Sequence, residues 1–473
     1  MPAVYLYKKV QEFTHMYTIH FDQPNHLHFI GIGGISMSGL AAILLKEGFT
    51  ISGSDFKKSE LTGKLEKAGA RIVYSQSADN IDGSIDAVIY TAAIHPDNPE
   101  FAAAVKKKIP MLSRAQLLGQ MMKNYKIPIC VSGTHGKTTT TSMAAHILMA
   151  AGMDPTISVG GILPLIKGNY RIGGRQAFLM EACEYTNSFL SFFPKISIIL
   201  DIDADHLDFF KDLEDIRHSF RRFAELLPAD GALIINADDP AYKMISRDLP
   251  CRVITYSILG NGDFTADTVS YDKMGCASFR VLHNGTEYGN FHLEVPGEHN
   301  VGNALAVIAL ADLLGIRPET IQEGFSGFHG TNRRFEYKGT MNGVTVIDDY
   351  AHHPTEIRAT LRTAAKYPHK KIWCIFQPHT YTRTKALLHE FAEALTLADH
   401  VILADIYAAR ELDIYGISSR DLQEEIQKLG TDCDYFPSFE EIEDFARKNC
   451  REGDLLITMG AGNVVQIGEA LVK

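Results

Sequence analysis

The loop SGTHGKTT, from Ser132 to Thr139, restricts the fold of this chain more than any other feature. It follows a short apolar segment, IPICV, and precedes an amphipathic segment that contains SMAAHILM. In a strand–loop–helix unit of this kind, backbone N–H groups and the helix N-terminus surround phosphate oxygens. Lys137 is placed to reach the β- and γ-phosphates of a nucleotide, and Thr138 to offer its hydroxyl to Mg²⁺. The loop therefore predicts an α/β domain with a nucleoside triphosphate site.

The predicted site takes in the whole loop. The residues expected to bind the triphosphate are Gly133, Thr134, His135, Gly136, Lys137, Thr138 and Thr139. Val131 occupies the outer glycine position of the standard pattern, so the loop is a shorter variant. The alternative is a glycine-containing turn with threonine caps. The coincidence of a strand, Gly-Lys-Thr and a helix disfavours that alternative.

The chain of 473 residues is too long for one ordinary domain, since domains usually have about 100–200 residues. Strand-like and helix-like segments alternate along it, which is typical of parallel sheets covered by helices. The predicted fold is α/β with three domains: a Rossmann-like N-terminal domain at 1–124, a central P-loop domain at 125–330 and a Rossmann-like C-terminal domain at 331–473. Short strands and hairpin turns are expected from about Cys251 to Val295.

Charge and composition exclude several classes of protein. Lys and Arg number 46 against 57 Asp and Glu, and the net charge of −11 disfavours a general nucleic-acid or anionic-membrane surface. No apolar run approaches the roughly 18 residues of a membrane span. The seven cysteines are scattered without a close pair, which fits a reducing compartment. We therefore expect a cytoplasmic protein that neither binds nucleic acid nor inserts into a membrane.

A second glycine-containing turn, GIGGISMSG, follows the apolar segment HLHFI near the start of the chain. Gly31 and Gly33 fill the first two positions of the G-x-G-x-x-G pattern, but Ser36 stands at the third. Asp55, after the next strand, is placed to accept a hydrogen bond from a ribose hydroxyl. This turn predicts a nucleotide diphosphate site, and by itself it does not distinguish such a ligand from NAD.

Candidate metal and purine ligands follow the strands of the central domain. Glu181 ends the segment AFLME, and IDADHLD brings Asp203, Asp205, His206 and Asp208 after ISIIL. We interpret His206 as functional and the three aspartates as an acidic helix N-terminus. Asn300 and Asn303 share one helical face, where two amides can recognise a purine edge, although Asn300 could instead cap the helix.

The C-terminal domain supplies a third group of polar residues. Arg333 and Arg334 precede its first strands, and an arginine from a separate domain can neutralise a transferred phosphate when the domains close. The remaining candidates follow two strands at the same sheet edge: Asp348, Asp349, Tyr350, His352, His353, His379 and Arg383. One of the two adjacent histidines is expected to be structural, since Pro354 favours a helix start there.

Seven segments together resemble the Mur ligase family across nearly the whole chain. They occur in the family order: GIGGISMSG, SGTHGKTTTT, IDADHLD, PGEHNVGNA, GTNRRFE, DDYAHHPTE and FQPHTYTRT. The resemblance implies an ATP-dependent ligase of peptidoglycan precursor synthesis, working as a monomer or homodimer. In the most similar kind of member, L-alanine is joined to the carboxylate of UDP-N-acetylmuramate through an acyl phosphate. ATP and Mg²⁺ are the implied cofactors.

The resemblance also implies a role for individual residues. It matches Lys137 to the β- and γ-phosphates, Thr138 and Glu181 to one Mg²⁺, and His206 to a second. It matches Asn300 and Asn303 to adenine, and Arg334 and Asp349 to the rest of ATP. The implied UDP-sugar contacts are Gly31, Gly33, Gly34, Asp55, His95, His135 and Ser188. The implied surroundings of the amino acid are Tyr350, His352, His379 and Arg383. Lys137, His206, Arg334 and His352 are the implied catalytic residues.

One stretch departs from the family pattern. The common family sequence after the metal-binding glutamate is E-x-D-E-S-D-x-S, whereas this chain reads EACEYTNS from Glu181 to Ser188. Glu181 is retained, but Cys183 stands where the family has aspartate.

Three other functions remain open at this point. A recycling ligase that attaches a whole tripeptide to the same sugar nucleotide would have nearly identical first and second domains. A nicotinamide-dependent oxidoreductase would explain GIGGISMSG but not the P-loop. A non-catalytic ATP-binding regulator would not require Lys137, Glu181 and His206 together.

The Lys137→Ala variant tests the phosphate-loop assignment. Removing the ammonium group should abolish turnover and leave the fold intact, because the lysine compensates phosphate charge. Amide formation from ATP is the measurement, with circular dichroism as the control for folding. Near-normal ATP-dependent amide formation by the variant would show that the assignment is wrong.

Overall fold

The computed structural model describes residues 17–91, 94–207, 209–409 and 411–473. The described residues form three sheets of five, ten and six strands. Most neighbouring strands run parallel, and helices cover the sheets. The structure thus confirms the predicted α/β class with Rossmann-like sheets at both ends of the chain. The exact domain boundaries stay a prediction.

The N-terminal sheet is parallel and has the order β3-β2-β1-β4-β5. Its strands are β1 (His26–Ile30), β2 (Thr50–Ser54), β3 (Arg71–Val73), β4 (Ala87–Tyr90) and β5 (Met111–Ser113). Its helices are α1 (Ile35–Lys46), α2 (Glu60–Lys67), α3 (Pro99–Lys107) and α4 (Arg114–Met122). The strands β1 and β4 are apolar and almost fully buried because helices cover both faces.

The central sheet has the order β15-β14-β13-β12-β11-β10-β6-β9-β7-β8. Its strands are β6 (Ile127–Ser132), β7 (Thr156–Leu163), β8 (Gly168–Arg171), β9 (Ala177–Glu181), β10 (Ile196–Ile199), β11 (Ala232–Asn236), β12 (Arg252–Ser257), β13 (Phe264–Tyr271), β14 (Cys276–His283) and β15 (Thr286–Pro296). Its helices are α5 (Lys137–Ala150), α6 (Leu213–Ala224), α7 (Tyr242–Ser246), α8 (His299–Leu313) and α9 (Pro318–Ser326). Strand β6 lies between β9 and β10, so the loops that follow these three strands are neighbours.

The predicted hairpins lie at one edge of this sheet. Strands β13, β14 and β15 pair antiparallel, and β13 pairs parallel with β12. They are longer than expected, with eight, eight and eleven residues. From Phe291 to Pro296 buried residues alternate with more exposed ones, so one face of this part of β15 packs on the core while the other faces solvent.

The C-terminal sheet has the order β16-β17-β21-β18-β19-β20. Its strands are β16 (Glu336–Met341), β17 (Val344–Asp349), β18 (Ile372–Phe376), β19 (His400–Leu403), β20 (Asp432–Tyr435) and β21 (Leu455–Met459). Its helices are α10 (Pro354–Lys366), α11 (Tyr381–Ala386), α12 (Leu388–Leu395), α13 (Ser419–Lys428), α14 (Phe439–Asn449) and α15 (Val465–Leu471). Strand β20 was not predicted, because its four residues include two aspartates and form an edge strand.

The N-terminal and central domains meet where α4 packs against a 3₁₀ segment, Tyr185–Ser191. Gly119 of α4 faces the main chain there, and an added Cβ would overlap the carbonyl oxygen of Ser191. Phe189 of the same segment is fully buried and stacks on Phe223, 4.5 Å between ring centroids. The 3₁₀ segment, which includes part of the atypical stretch, thus packs against α4 on one side and against Phe223 of α6 on the other.

None of the helices in the described ranges has the length and apolar character needed to cross a bilayer.

Gly119→Ala should destabilise the protein by about 1–3 kcal/mol, because the added methyl group forces α4 away from Ser191. Gly63→Ala is the matched control, since Gly63 also lies inside a helix and has nothing within 4 Å of an added Cβ. The control should gain about 0.5–1 kcal/mol from helix propensity. Urea unfolding measures both free energies, and equal effects of the two substitutions would contradict the proposed contact.

Candidate active site

The sheet order brings the predicted phosphate, metal and histidine residues to one edge of the central sheet. The phosphate loop follows β6, Glu181 ends β9, and the segment with Asp201 and His206 follows β10. Ligands of parallel α/β sheets bind at the carboxyl ends of the strands, which is where these loops lie.

The segment after β10 holds the phosphate loop in place. Thr134 N and His135 N donate to the backbone oxygen and the carboxylate of Asp201, at 2.9 and 2.8 Å. Gly136 has φ 78°, and an added Cβ would lie 2.7 Å from Asn303 Oδ1. Glycine is therefore required there for both conformation and space. The close approach puts the start of α8 directly against the loop.

Lys137 lies at the first position of α5 and is mostly buried. Its Nζ donates to the carbonyl oxygens of Gly133 and Thr134 and pairs with Glu184 at 3.2 Å. Burial alone would lower the pKa of Lys137, but the carboxylate of Glu184 outweighs it and raises that pKa above the usual value. Lys137 is therefore an ammonium ion already aimed at the loop. The sequence analysis did not single out Glu184, whose side chain is only 2% exposed. The available signal was that the common family stretch also has glutamate at this position.

Thr138 and Glu181 form a pair suited to a divalent cation. The Thr138 side chain lies close enough to the Glu181 carboxylate to lower its pKa, and that carboxylate accepts from Gly160 N at 2.6 Å. Burial raises the pKa of Glu181, which means that the neighbouring groups do not fully compensate the negative charge of its ionised carboxylate. No lysine or arginine in the described ranges lies within 4.0 Å of Glu181 as an ion-pair partner. A carboxylate and a hydroxyl in such a place fit Mg²⁺, which takes oxygen ligands.

His206 belongs to a neighbouring group of side chains. Its Nε2 lies 4.0 Å from Glu184 Oε1 and 3.8 Å from Asp205 Oδ2, and its ring lies 4.5 Å from that of Tyr185. His206 has φ 54°, an unusual value for a residue other than glycine. Thr186 and Thr380 also have positive φ values, 55° and 67°. Strained backbone of this kind clusters at functional sites.

The interpretation of Asp203 and Asp205 as part of a helix N-terminus is wrong. Residues 201–206 are not helical, and α6 begins only at Leu213, with Asp212 as its cap. Asp203 instead accepts from Thr355 Oγ1 at 2.6 Å, and Asp205 pairs with Arg383 at 2.9 Å. Both aspartates therefore contact the C-terminal domain. Asp208 lies outside the described residues.

A cavity of about 300 Å³ lies between the phosphate loop, α8 and the C-terminal domain. Asn300 and Asn303 line it, together with Arg334 and Asp349. Asn300 Nδ2 donates to Pro296 O at 2.7 Å, and Asn303 Nδ2 donates to Asn300 Oδ1 at 3.0 Å. Asn300 lies inside the first turn rather than at the cap position, which is Glu298. The two amides thus form a fixed pair at the cavity wall, and their contact with a purine stays a prediction.

The two adjacent arginines have different surroundings. Arg333 pairs with Asp348 at 2.9 Å and donates to the carbonyl oxygens of Gly460 and Gly462, so it is structural. Arg334 extends toward the cavity, 4.0 Å from Glu356, with its guanidinium 5.2 Å from the centre of the Tyr350 ring. Arg334 is therefore the arginine placed to meet a phosphate.

The histidines of the C-terminal domain also divide into two roles. His353 caps α10, accepting from Thr355 N at 3.3 Å, and its Nε2 lies 3.2 Å from Ala204 O. It is the structural member of the pair. His352 lies 3.2 Å from Glu356, and its ring is 5.8 Å from that of His379. Arg383 contacts His379 Nδ1 at 3.2 Å, so His352, His379 and Arg383 form one polar group with Tyr350 beside it.

His135 connects the phosphate loop to the C-terminal domain. Its two ring nitrogens lie 3.4 Å from Asp203 Oδ2 and 3.3 Å from Glu356 Oε1. Burial disfavours the charged imidazole, but Asp201, Asp203 and Glu356 outweigh burial and raise the pKa of His135 well above 6.5. Glu356 was not singled out from the sequence. Its position in the first turn of α10, directly after the paired histidines, was the available signal.

The N-terminal candidates line the carboxyl edge of their own sheet. Gly31, Gly33 and Gly34 lie between β1 and α1, and Gly33 N donates to Asp55 Oδ2 at 2.8 Å. His95 is exposed after β4. Ser188 donates its hydroxyl to Cys183 O at 2.9 Å and so supports the loop itself. The roles assigned to these residues stay predictions.

Solved structures and named proteins resemble the chain over almost its full length. UDP-N-acetylmuramate–L-alanine ligase from Agathobacter rectalis is 60% identical over 458 residues, covering 97% of this chain and 100% of that protein. UDP-N-acetylmuramate-alanine ligase MurC from Thermotoga maritima has a TM-score of 0.78 and 32% identity, covering 94% and 98%. A murein peptide ligase from Psychrobacter arcticus has a TM-score of 0.68 and 26% identity, covering 94% and 98%.

Family models match all three parts of the chain. The model described as the Mur ligase family, catalytic domain, matches residues 26–126, and the Mur ligase middle domain matches 131–311. The model described as Mur ligase, glutamate ligase domain, matches 333–462. These matches contain the phosphate loop, the Asn300–Asn303 pair and the polar group of the C-terminal domain. The chain belongs to the Mur ligase family.

Proposed function

We propose that the chain is an ATP-dependent ligase that joins L-alanine to the carboxylate of UDP-N-acetylmuramate, a step of peptidoglycan precursor synthesis. The observation that carries this proposal is the meeting of three groups in one cleft: Lys137 of the phosphate loop, the Thr138–Glu181 pair, and the polar group of the C-terminal domain. Relatives named for this reaction at up to 60% identity support it. All seven cysteines are free thiols, which suits the cytoplasm as the proposed compartment.

In the first step, the substrate carboxylate attacks the γ-phosphate of ATP and gives an acyl phosphate and ADP. The Asn300–Asn303 pair holds the adenine, while Lys137 of the phosphate loop and Arg334 of the C-terminal domain neutralise charge on the phosphates. Thr138 and Glu181 would hold one Mg²⁺ and His206 a second, which supply further positive charge when bound. Positioning and charge compensation provide most of the acceleration in phosphoryl transfer.

In the second step, the neutral amine of L-alanine attacks the acyl carbon, and the adduct loses phosphate to leave an amide. Arg383, which donates to His379 Nδ1, is the cationic end of the polar group and suits the α-carboxylate of the amino acid. His352 and His206 are the candidate bases for the ammonium proton. Contacts of Asp203 and Asp205 with the C-terminal domain close the cleft, and closure protects the acyl phosphate from water.

Phosphate release from purified protein, ATP, Mg²⁺ and UDP-N-acetylmuramate tests this function. L-Alanine, the stem tripeptide and no amino acid should be compared, with product mass as confirmation. We expect release that depends on L-alanine and yields the alanyl sugar nucleotide. Release only with tripeptide would favour a recycling ligase, and no release with either would favour a regulator.

Two alanine substitutions should separate the ATP and amino-acid sites. Asn303→Ala should raise the KM for ATP about two- to tenfold, since a lost hydrogen bond costs about 0.5–1.5 kcal/mol. Arg383→Ala should raise the KM for L-alanine by more, since hydrogen bonds to charged groups contribute about 1.5–3 kcal/mol. Steady-state kinetics with each substrate varied in turn gives both constants. An Arg383→Ala variant whose KM changed for ATP but not for L-alanine would contradict the assignment of the amino-acid site.

A further inference from the structure

A partly buried arginine lies where the N-terminal and central domains meet. Arg114 is the first residue of α4, the helix that packs on the 3₁₀ segment of the central domain. Its Nη1 donates to Ser36 Oγ at 3.0 Å, and no Asp or Glu of the described ranges lies within 4.0 Å of its guanidinium. Burial lowers the pKa of Arg114, and the Cys183 side chain opposes that shift. Arginine stays protonated in proteins, so a cation is held here without a carboxylate partner.

This arrangement is unfavourable for the protein alone. Removing a charge from water costs free energy, and a partner of opposite charge normally offsets that cost. Arg175, which also lies between the two domains, pairs with Asp22 at 2.9 Å and with Glu47 at 2.6 Å. Departures from this rule are expected at functional sites. The guanidinium of Arg114 therefore indicates a site for an anionic ligand.

The glycine turn of the N-terminal domain determines where this guanidinium lies. Ser36 stands at the third position of the G-x-G-x-x-G pattern, where glycine would have no side chain. The hydroxyl of this one departing residue is the group that accepts from Arg114. On its other side Arg114 faces Cys183, which is near enough to Lys137 of the phosphate loop to affect its pKa. Arg114 thus lies between the glycine turn and the phosphate loop.

The sugar nucleotide of the proposed reaction has oxyanions along this path. Its diphosphate is assigned to the glycine turn, and its carboxylate must reach ATP at the phosphate loop. Among the residues that the family resemblance assigns to this substrate, Asp55 is negative and none is lysine or arginine. A guanidinium group matches phosphate and carboxylate oxygens through two parallel hydrogen bonds.

We propose that Arg114, oriented by Ser36, binds an oxyanion of the sugar nucleotide and selects for that substrate. Arg114 is then a binding residue, and Ser36 is a positioning residue that acts through it. The inference rests on the proposed function, since it takes its ligand from the proposed reaction.

Three uridine nucleotides test the proposal and identify the oxyanion. UDP has the diphosphate alone, UDP-N-acetylglucosamine adds a sugar without a carboxylate, and UDP-N-acetylmuramate has both groups. Arg114→Met should weaken UDP-N-acetylmuramate binding about 10–100-fold, the effect of losing hydrogen bonds to a charged group. An equal loss for all three nucleotides would assign Arg114 to the diphosphate, and a loss confined to UDP-N-acetylmuramate would assign it to the carboxylate. Isothermal titration calorimetry gives the affinities without turnover.

A double-mutant cycle tests whether Ser36 acts through Arg114. Ser36→Ala should weaken UDP-N-acetylmuramate binding about two- to tenfold, as expected for one hydrogen bond. The same substitution should have no further effect in the Arg114→Met background, because the two residues then no longer interact. Arg114→Lys should restore part of the affinity, since lysine keeps the charge without the planar group.

Thermal unfolding separates a binding role from a structural one. Arg114→Met should keep or raise the Tm, because it removes a partly buried charge that has no carboxylate partner. Arg71→Met is the matched control, since it removes the same charge from the start of β3, where the side chain is 77% exposed. The control should leave all three affinities unchanged.

Unchanged UDP-N-acetylmuramate binding by Arg114→Met would overturn the proposal, and a lower Tm in that variant would then show a structural arginine. A wild-type protein that bound none of the three nucleotides would overturn the proposed function itself, and this inference with it. Failure of the inference is thus distinguishable from failure of the proposed function.

Discussion

The position of β6 between β9 and β10 is the constraint on which the rest of the site depends. Because these parallel strands end at one edge, the phosphate loop, Glu181 and the Asp201 segment lie side by side although they are far apart in sequence. Asp201 fixes the loop by two hydrogen bonds, and Asn303 fills the space that the missing side chain of Gly136 leaves. The central domain thus presents a nearly complete nucleotide site before any ligand is bound.

The C-terminal domain completes the cleft through charged contacts rather than through apolar packing. His135 meets Glu356, Asp203 meets Thr355, and Asp205 meets Arg383. Such contacts are weaker than a shared hydrophobic core and suit an interface that opens and closes in each turnover. Asp203 also contacts Thr134 and His135 of the phosphate loop, so closure of the cleft and arrangement of that loop are coupled.

Much of this arrangement could be predicted from the sequence, because it depends on local patterns. The strand–loop–helix unit at Lys137, the neighbouring loops at strand ends and the one-face spacing of Asn300 and Asn303 are all visible in short segments. The different roles of Arg333 and Arg334 could not be predicted from the sequence, because the structural role of Arg333 depends on the distant carbonyl groups of Gly460 and Gly462. The roles of Asp203 and Asp205 were misinterpreted for the same reason: their partners, Thr355 and Arg383, belong to another domain.

The ion pair between Lys137 and Glu184 has a consequence for the form in which the proposed nucleotide would bind. The Glu184 carboxylate is buried and is the counter-charge of the Lys137 ammonium. In the proposed reaction a phosphate takes over that lysine, which would leave a buried carboxylate with its charge uncompensated. A nucleotide that carries a divalent cation would compensate the released charge, so this ion pair favours the metal complex of the nucleotide over the free nucleotide.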